Sequence, residues 1–173
     1  MLKFLEPRKS LRLAPHTEIH LYIELVVSVQ LTLASCLAGV LDISPDLTVP
    51  QLKSYAHTLA QESLNNSRAD SNTVVLVCIE SLIDGSAHLR AMNSDSVQIR
   101  LRDALESAEY CFGLLTSDLG VSEELVCAYF DGLARVTVAR ELSTQDRREI
   151  ADEAQAAFVS TVCEIVQESL RTT

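Results

Sequence analysis

Residues 16–41 read HTEIHLYIELVVSVQLTLASCLAGVL. Thr17, His20, Glu24, Ser28, Thr32, Ser35 and Gly39, with Asp42 just beyond, recur every three or four positions. On a helix that spacing gathers them into one narrow polar stripe. Ile, Leu, Val and Ala dominate the rest of the cylinder. A helix this apolar belongs in the centre of a bundle or in a membrane. Pro15 places its start, with His16 or Thr17 as the cap, and the pattern carries it to about Leu41.

The uncharged run within it, Leu25–Leu41, would span about 25 Å as a helix, against a hydrocarbon core of about 30 Å. Basic residues precede it, and Ala34/Ala38 and Ser35/Gly39 give the small-xxx-small spacing of packed membrane helices. Glu24 and Asp42 border the run closely, however, and Ser28, Gln30, Thr32 and Ser35 dilute it. The stripe also points one way. The buried-core reading is therefore preferred over a single membrane span. Leu33-Ala34-Ser35-Cys36 also matches the short pattern of a lipidated bacterial leader. Its approach is too long, and Glu24 interrupts it.

Outward from this helix, the chain keeps a helical period. All four prolines fall before residue 51, which leaves room for long helices with short turns. Thr48-Val49-Pro50-Gln51 reads as a capping box with proline in the first turn, opening a helix to about Leu64. Its inward face would be Val49, Leu52, Tyr55, Ala56 and Leu59. The β-branched run Thr73–Ile79 has no strand to pair with and is read as helix, with a break or bend at Gly85 before Ala87–Met92. Ser94-Asp95 would cap a fourth helix over Val97, Leu101, Leu105, Ala108, Phe112 and Leu115, which Gly120 ends. Ser122 would cap a fifth, to about Leu142. Ser143 would cap a sixth, to about Leu170, burying Ile150, Ala154, Phe158, Val162, Ile165 and Val166. Gly113 and Gly132, inside the fourth and fifth helices, suggest close approach of another helix backbone, since mid-helix glycine costs about 1 kcal/mol relative to alanine.

Composition narrows the function classes. The chain has 173 residues, 47% hydrophobic and 22% charged, with a net charge of −10. Residues 1–12 hold Lys3, Arg8, Lys9 and Arg12 against Glu6, while the remainder holds 10 bases against 23 acids. An acidic body without Trp argues against nucleic acid, which calls for a basic stripe and stacking rings. The basic arm, with Leu2, Phe4, Leu5 and Leu11 among its charges, could lie across the acidic body of its own or a neighbouring subunit. Glu106, Glu109, Asp118, Glu123 and Glu124 read as a solvated acidic face. Five scattered cysteines, Cys36, Cys78, Cys111, Cys127 and Cys163, read as buried small hydrophobes in a reducing compartment, not as a disulfide framework or zinc site.

His16, His20 and Glu24, spaced i, i+4, i+8, share a helix face and form the best metal candidate, because two imidazoles one turn apart can hold an ion. The bland alternative is a polar stripe closing a bundle end, with Glu24 paired to an arginine. His57 and His88 read as isolated surface residues, with Asp84 one turn before His88 as its partner. Nucleophile-elbow, phosphate-loop and zinc-protease patterns do not occur.

The sequence thus predicts an all-α chain. A basic arm over 1–15 precedes a single-domain bundle of about six helices over 16–173, with the very apolar first helix near its centre. The leading functional expectation is a non-catalytic, adaptor- or immunity-like acidic module. It would be a cytoplasmic homodimer with a protein partner, without cofactor or nucleic acid, and not an enzyme. The alternatives are a metal- or small-ligand-binding bundle using His16, His20 and Glu24, or a protein anchored through residues 25–41.

Overall fold

A computed structural model describes residues 16–67, 70–92 and 95–172; the basic arm, and the side chains of His16, Thr17 and Val97, lie outside the described residues. Among these, six helices form: α1 (His16–Val40), α2 (Val49–Asn65), α3 (Ser71–Ala91), α4 (Val97–Gly113), α5 (Glu123–Thr137) and α6 (Thr144–Thr172). A π turn, Leu114–Asp118, prolongs α4.

The local stop and start signals explain most boundaries. Thr48 and Gln51 form the reciprocal capping box of α2, with Pro50 in its first turn. Ser122 caps α5, and Ser143 Oγ accepts the Asp146 N–H at the start of α6. Gly120 follows the π turn at φ +73°. At the end of α1, Asp42 takes φ +58° while Ile43 N–H bonds Ala38 O and Asp42 N–H bonds Gly39 O. That is a Schellman stop, with Ile43 and Ala38 buried against each other's turn.

Helix α1 lies at the centre, in contact with α3, α4, α5 and α6. Val26, Val29, Leu33 and Leu37 have no exposed surface. Glu18–Val40 is long and apolar enough to cross a membrane, with a mean hydropathy of 1.8, yet 56% of its most apolar window is buried within the bundle. Each fully buried Leu or Val contributes about 1.5–3 kcal/mol, so this one helix supplies a large share of the core.

The polar stripe of α1 faces α6. Arg148 Nη2 donates to Glu24 Oε2 at 2.6 Å, Gln155 Nε2 donates to Thr32 Oγ1 at 2.9 Å, and Cys36 is paired with Cys163 with Cα atoms 6.5 Å apart. The rungs ascend together in both helices, so α1 and α6 run parallel. On the other flank α2 and α3 form an antiparallel pair tied by Lys53–Asp84 and by His57 Nδ1–Glu80 Oε1 at 2.8 Å.

Several expectations are corrected. α3 runs unbroken through Gly85. A Cβ there would sit 3.3 Å from Gln30 Nε2, so the glycine makes room for a buried glutamine instead of bending the helix. Gln30, 1% exposed, donates to Ser107 Oγ at 2.7 Å and thereby joins α1, α3 and α4. Among the described residues nothing lies within 4 Å of where a Cβ would sit at Gly113 or Gly132, so the expected close approach of a helix is not found there. Ser96 caps α4 in place of Ser94-Asp95, because its hydroxyl reaches the Ile99 N–H. α5 stops at Thr137, where Arg147 takes the Thr137 and Ala139 carbonyls. In α6 Phe158, Val162 and Val166 are buried as expected, but near its start Ala151 turns inward while Ile150 and Ala154 face outward. Val49 and Tyr55 are likewise exposed on α2. Two of the five cysteines, expected as separate buried thiols, are brought together by the parallel α1–α6 pairing.

Candidate functional site

His20 and Glu24 sit one turn apart on α1, so their side chains meet: His20 Nε2 lies 3.0 Å from Glu24 Oε1. Arg100 Nη2, from α4, lies 3.1 Å from His20 Nδ1. A guanidinium can only donate, so Nδ1 is the acceptor and Nε2 carries the hydrogen toward Glu24. Arg148 from α6 closes the row on the second carboxylate oxygen. The four side chains form a relay of alternating polarity, Arg100–His20–Glu24–Arg148, that joins three helices across a partly exposed surface. Glu24 does find its arginine.

Both imidazole nitrogens and both carboxylate oxygens are engaged in this row. His16 lies outside the described side chains, so its part in a metal site is not placed. Among the described residues no group of three or more His, Cys, Asp or Glu gathers at metal-holding distance. Beside the row is a cleft of about 270 Å³ lined by the apolar Ile23, Val27, Leu89 and Met92 and by His20, Glu24, Arg90 and Arg100. Two guanidiniums against one carboxylate, next to apolar side chains, leave room for an anion with an apolar body.

A second polar group was not legible beforehand. Glu18, 7% exposed at its side chain, has Oε1 3.9 Å from both Arg147 Nη1 and Arg140 Nε. Its Oε2 is buried without a hydrogen-bond partner. Arg147 also holds the two end carbonyls of α5, so one guanidinium clamps the end of α5, the start of α6 and the first turn of α1. The only sequence signal was an acid early in an apolar run. His57, read as an isolated surface residue, ties α2 to α3 through Glu80, and Asp84, read as the partner of His88, pairs with Lys53 instead. His88 is exposed on α3.

The thiols divide by burial. Desolvation pushes Cys78 and Cys111 up to about 12, which removes the thiolate needed for nucleophilic chemistry. Cys127 is half-exposed and raised more modestly, by desolvation first and then by Glu123 and Asp131.

At the end of the bundle where α1 stops, two neighbouring hollows share Leu170. One, about 360 Å³, is lined by Leu41, Ile43, Tyr55, Leu59 and Leu76, with Asp42 at its edge. The other, about 200 Å³, is lined by Val74, Val75, Leu119 and Val166 together with the polar Ser71, Ser117, Ser169 and, from the π turn, Asp118. Tyr55 is 46% exposed and Val74 40%.

Comparison of the chain with protein-family models, curated proteins and solved structures returns no match. The functional reading therefore rests on the residues and geometry just described.

Proposed function

We propose that the protein is a non-catalytic, acidic helical interaction module that works as a homodimer and receives protein at its surface. The observation that supports this most directly is the bundle end around Leu170. There, the exposed side chains of Tyr55 and Val74 border two hollows whose open surface is more polar than apolar, with Asp42 and Asp118 in the lining. Apolar side chains set among polar groups are the composition of a non-obligate protein-binding patch. The net charge of −10 favours a basic partner, as in an adaptor or an immunity-like protein that masks one.

The test is light scattering on the full chain across a concentration series, together with affinity capture at low and high salt. The expected result is a soluble dimer whose captured partner is stoichiometric, basic and released by salt. A monomer at every concentration, with nothing stoichiometric captured at either salt, overturns the reading.

The cleft beside His20 favours a second reading, a small-ligand-binding bundle whose ligand carries an anionic head and an apolar body. Medium-chain carboxylates are the simplest probe. Thermal stabilisation by them, lost in Arg90→Ala, would support it; equal stability with and without them, up to millimolar concentration, would remove it.

A further inference from the structure

The hollows around Leu170 have a candidate occupant in the chain itself. Residues 1–15 carry four bases against one acid and the apolar side chains of Leu2, Phe4, Leu5, Leu11 and Leu13. The surface they would meet belongs to a body with 10 bases against 23 acids, and the hollows are edged by Asp42 and Asp118. The nearby Arg171 is already turned to Glu168, 3.8 Å away. The arm's bases would thus find Asp42 and Asp118, and its apolar side chains would find Tyr55, Leu59, Val74 and Leu170 within an otherwise polar surface.

Distance decides whose arm fits. The arm joins the bundle at His16, the first residue of α1, and the hollows lie at the other end of that helix, beside Leu41 and Ile43. Twenty-five helical residues place the two ends about 37 Å apart. Fifteen residues reach at most about 50 Å when fully extended. An arm bound to its own body would run taut along the whole bundle and keep roughly four residues for the hollows. The arm of a neighbouring molecule has no such constraint, and a two-fold arrangement lets both arms dock at once.

We propose that the hollows flanking Leu170 receive the basic N-terminal arm of a second copy, so that the protein is a homodimer with exchanged arms. This rests on the interaction-module reading and specifies the surface and the partner.

The experiment uses the full chain throughout. One variant reverses the arm charges (Lys3→Glu, Arg8→Glu, Lys9→Glu and Arg12→Glu together), and another puts a repelling charge in the hollows (Leu170→Lys). Tyr55→Lys is a further hollow variant at an exposed position, in case Leu170→Lys disturbs folding, and circular dichroism checks the helicity of all three. Light scattering should give a dimer for the parent chain and a dimer Kd raised about tenfold or more for each variant, as for loss of an anchor contact. Mixing the arm variant with either hollow variant restores one sound arm and one sound hollow, so a weaker heterodimer should form. A synthetic peptide of residues 1–15 should dissociate the parent dimer. If the arm and hollow variants stay as dimeric as the parent, the copies pair by another face; the arm proposal falls and the interaction module survives. A parent chain that is monomeric overturns the exchange outright; stoichiometric capture of a foreign partner would then still leave the interaction module standing.

Discussion

Helix α1 meets its surroundings in two ways. Around most of its circumference the contact is apolar and continuous, with Val26, Val29, Leu33 and Leu37 wholly buried. Along its polar stripe the contact with α6 is a set of separate rungs: Glu24–Arg148, Thr32–Gln155 and Cys36–Cys163. Burial is non-directional and scales with area, so the apolar side supplies energy but only weakly fixes how a neighbour is rotated. The two non-covalent rungs supply little energy each, but all three fix register and rotation, because each group has one partner at one height. The observed rotation of α6, with Ala151 inward and Ile150 outward, is the one that lets Arg148 and Gln155 reach α1.

The largest expected effect breaks the apolar side. Leu33→Ala deletes a side chain with no exposed surface at the middle of α1 and should cost about 2–5 kcal/mol in urea unfolding. A cost under about 1 kcal/mol would mean that the centre of the bundle collapses freely around the gap, and the contrast between the two sides would fail.

Next is the covalent rung. Cys36 and Cys163 are separated by 127 residues in sequence, so oxidation closes a long loop of the unfolded chain. Reduction, or Cys36→Ser, should lower stability by about 2–4 kcal/mol. Alkylation mass spectrometry on the folded protein sharpens this. Before reduction Cys127 should be the thiol that reacts, and Cys36 should join it afterwards. Cys78 and Cys111, buried and raised to about 12, should stay unmodified in both cases. Alkylation of Cys36 in the oxidised sample would show that the rung does not form.

A third test sits where polarity enters the apolar side. Gly85→Val would press a branched side chain onto Gln30, whose Nε2 already lies 3.3 Å from the place a Cβ would take. It should cost about 1–3 kcal/mol through overpacking, measured by thermal unfolding. Gly132→Ala, facing open space on α5, should instead stabilise by about 0.5–1 kcal/mol. If the two substitutions behave alike, Gly85 is not a packing position.

These two glycines show what was legible and what was not. The signals read correctly are local. The Thr48–Gln51 capping box, the Ser122 cap, the αL glycine at 120 and the stripe of α1 each lie within one or two turns of chain, where i to i+3 and i to i+4 chemistry acts. The misread positions depend on partners far away, as Gly85 does on Gln30; Glu24 was read with an arginine, but the one it meets, Arg148, lies 124 residues on. The register of α6 was ambiguous because Ile150 and Ala154 compete with Ala151 and Gln155 for the inward face, and the period alone admits both. Of the candidate site, His20 and Glu24 were found from their spacing. Arg100 and Arg148 carry no mark in sequence that distinguishes them from the other arginines. Nothing in the structure explains Gly132.

The smallest expected effect is the most informative about the stripe. Glu24 and Arg148 are 38% and 46% exposed at their side chains, so water and salt screen their attraction. A double-mutant cycle with Glu24→Gln and Arg148→Gln should give a coupling of about 0.2–1 kcal/mol at low salt, shrinking toward zero at high salt. His20 and Arg100 already hold Glu24 and the imidazole in place, so part of the ordering cost is shared along the row, which favours the upper half of that range. A coupling above about 2 kcal/mol that survives high salt would place the rung in the same class as the buried apolar contacts. In that case the stripe would be a second core, and the division of labour between the two sides of α1 would have to be abandoned.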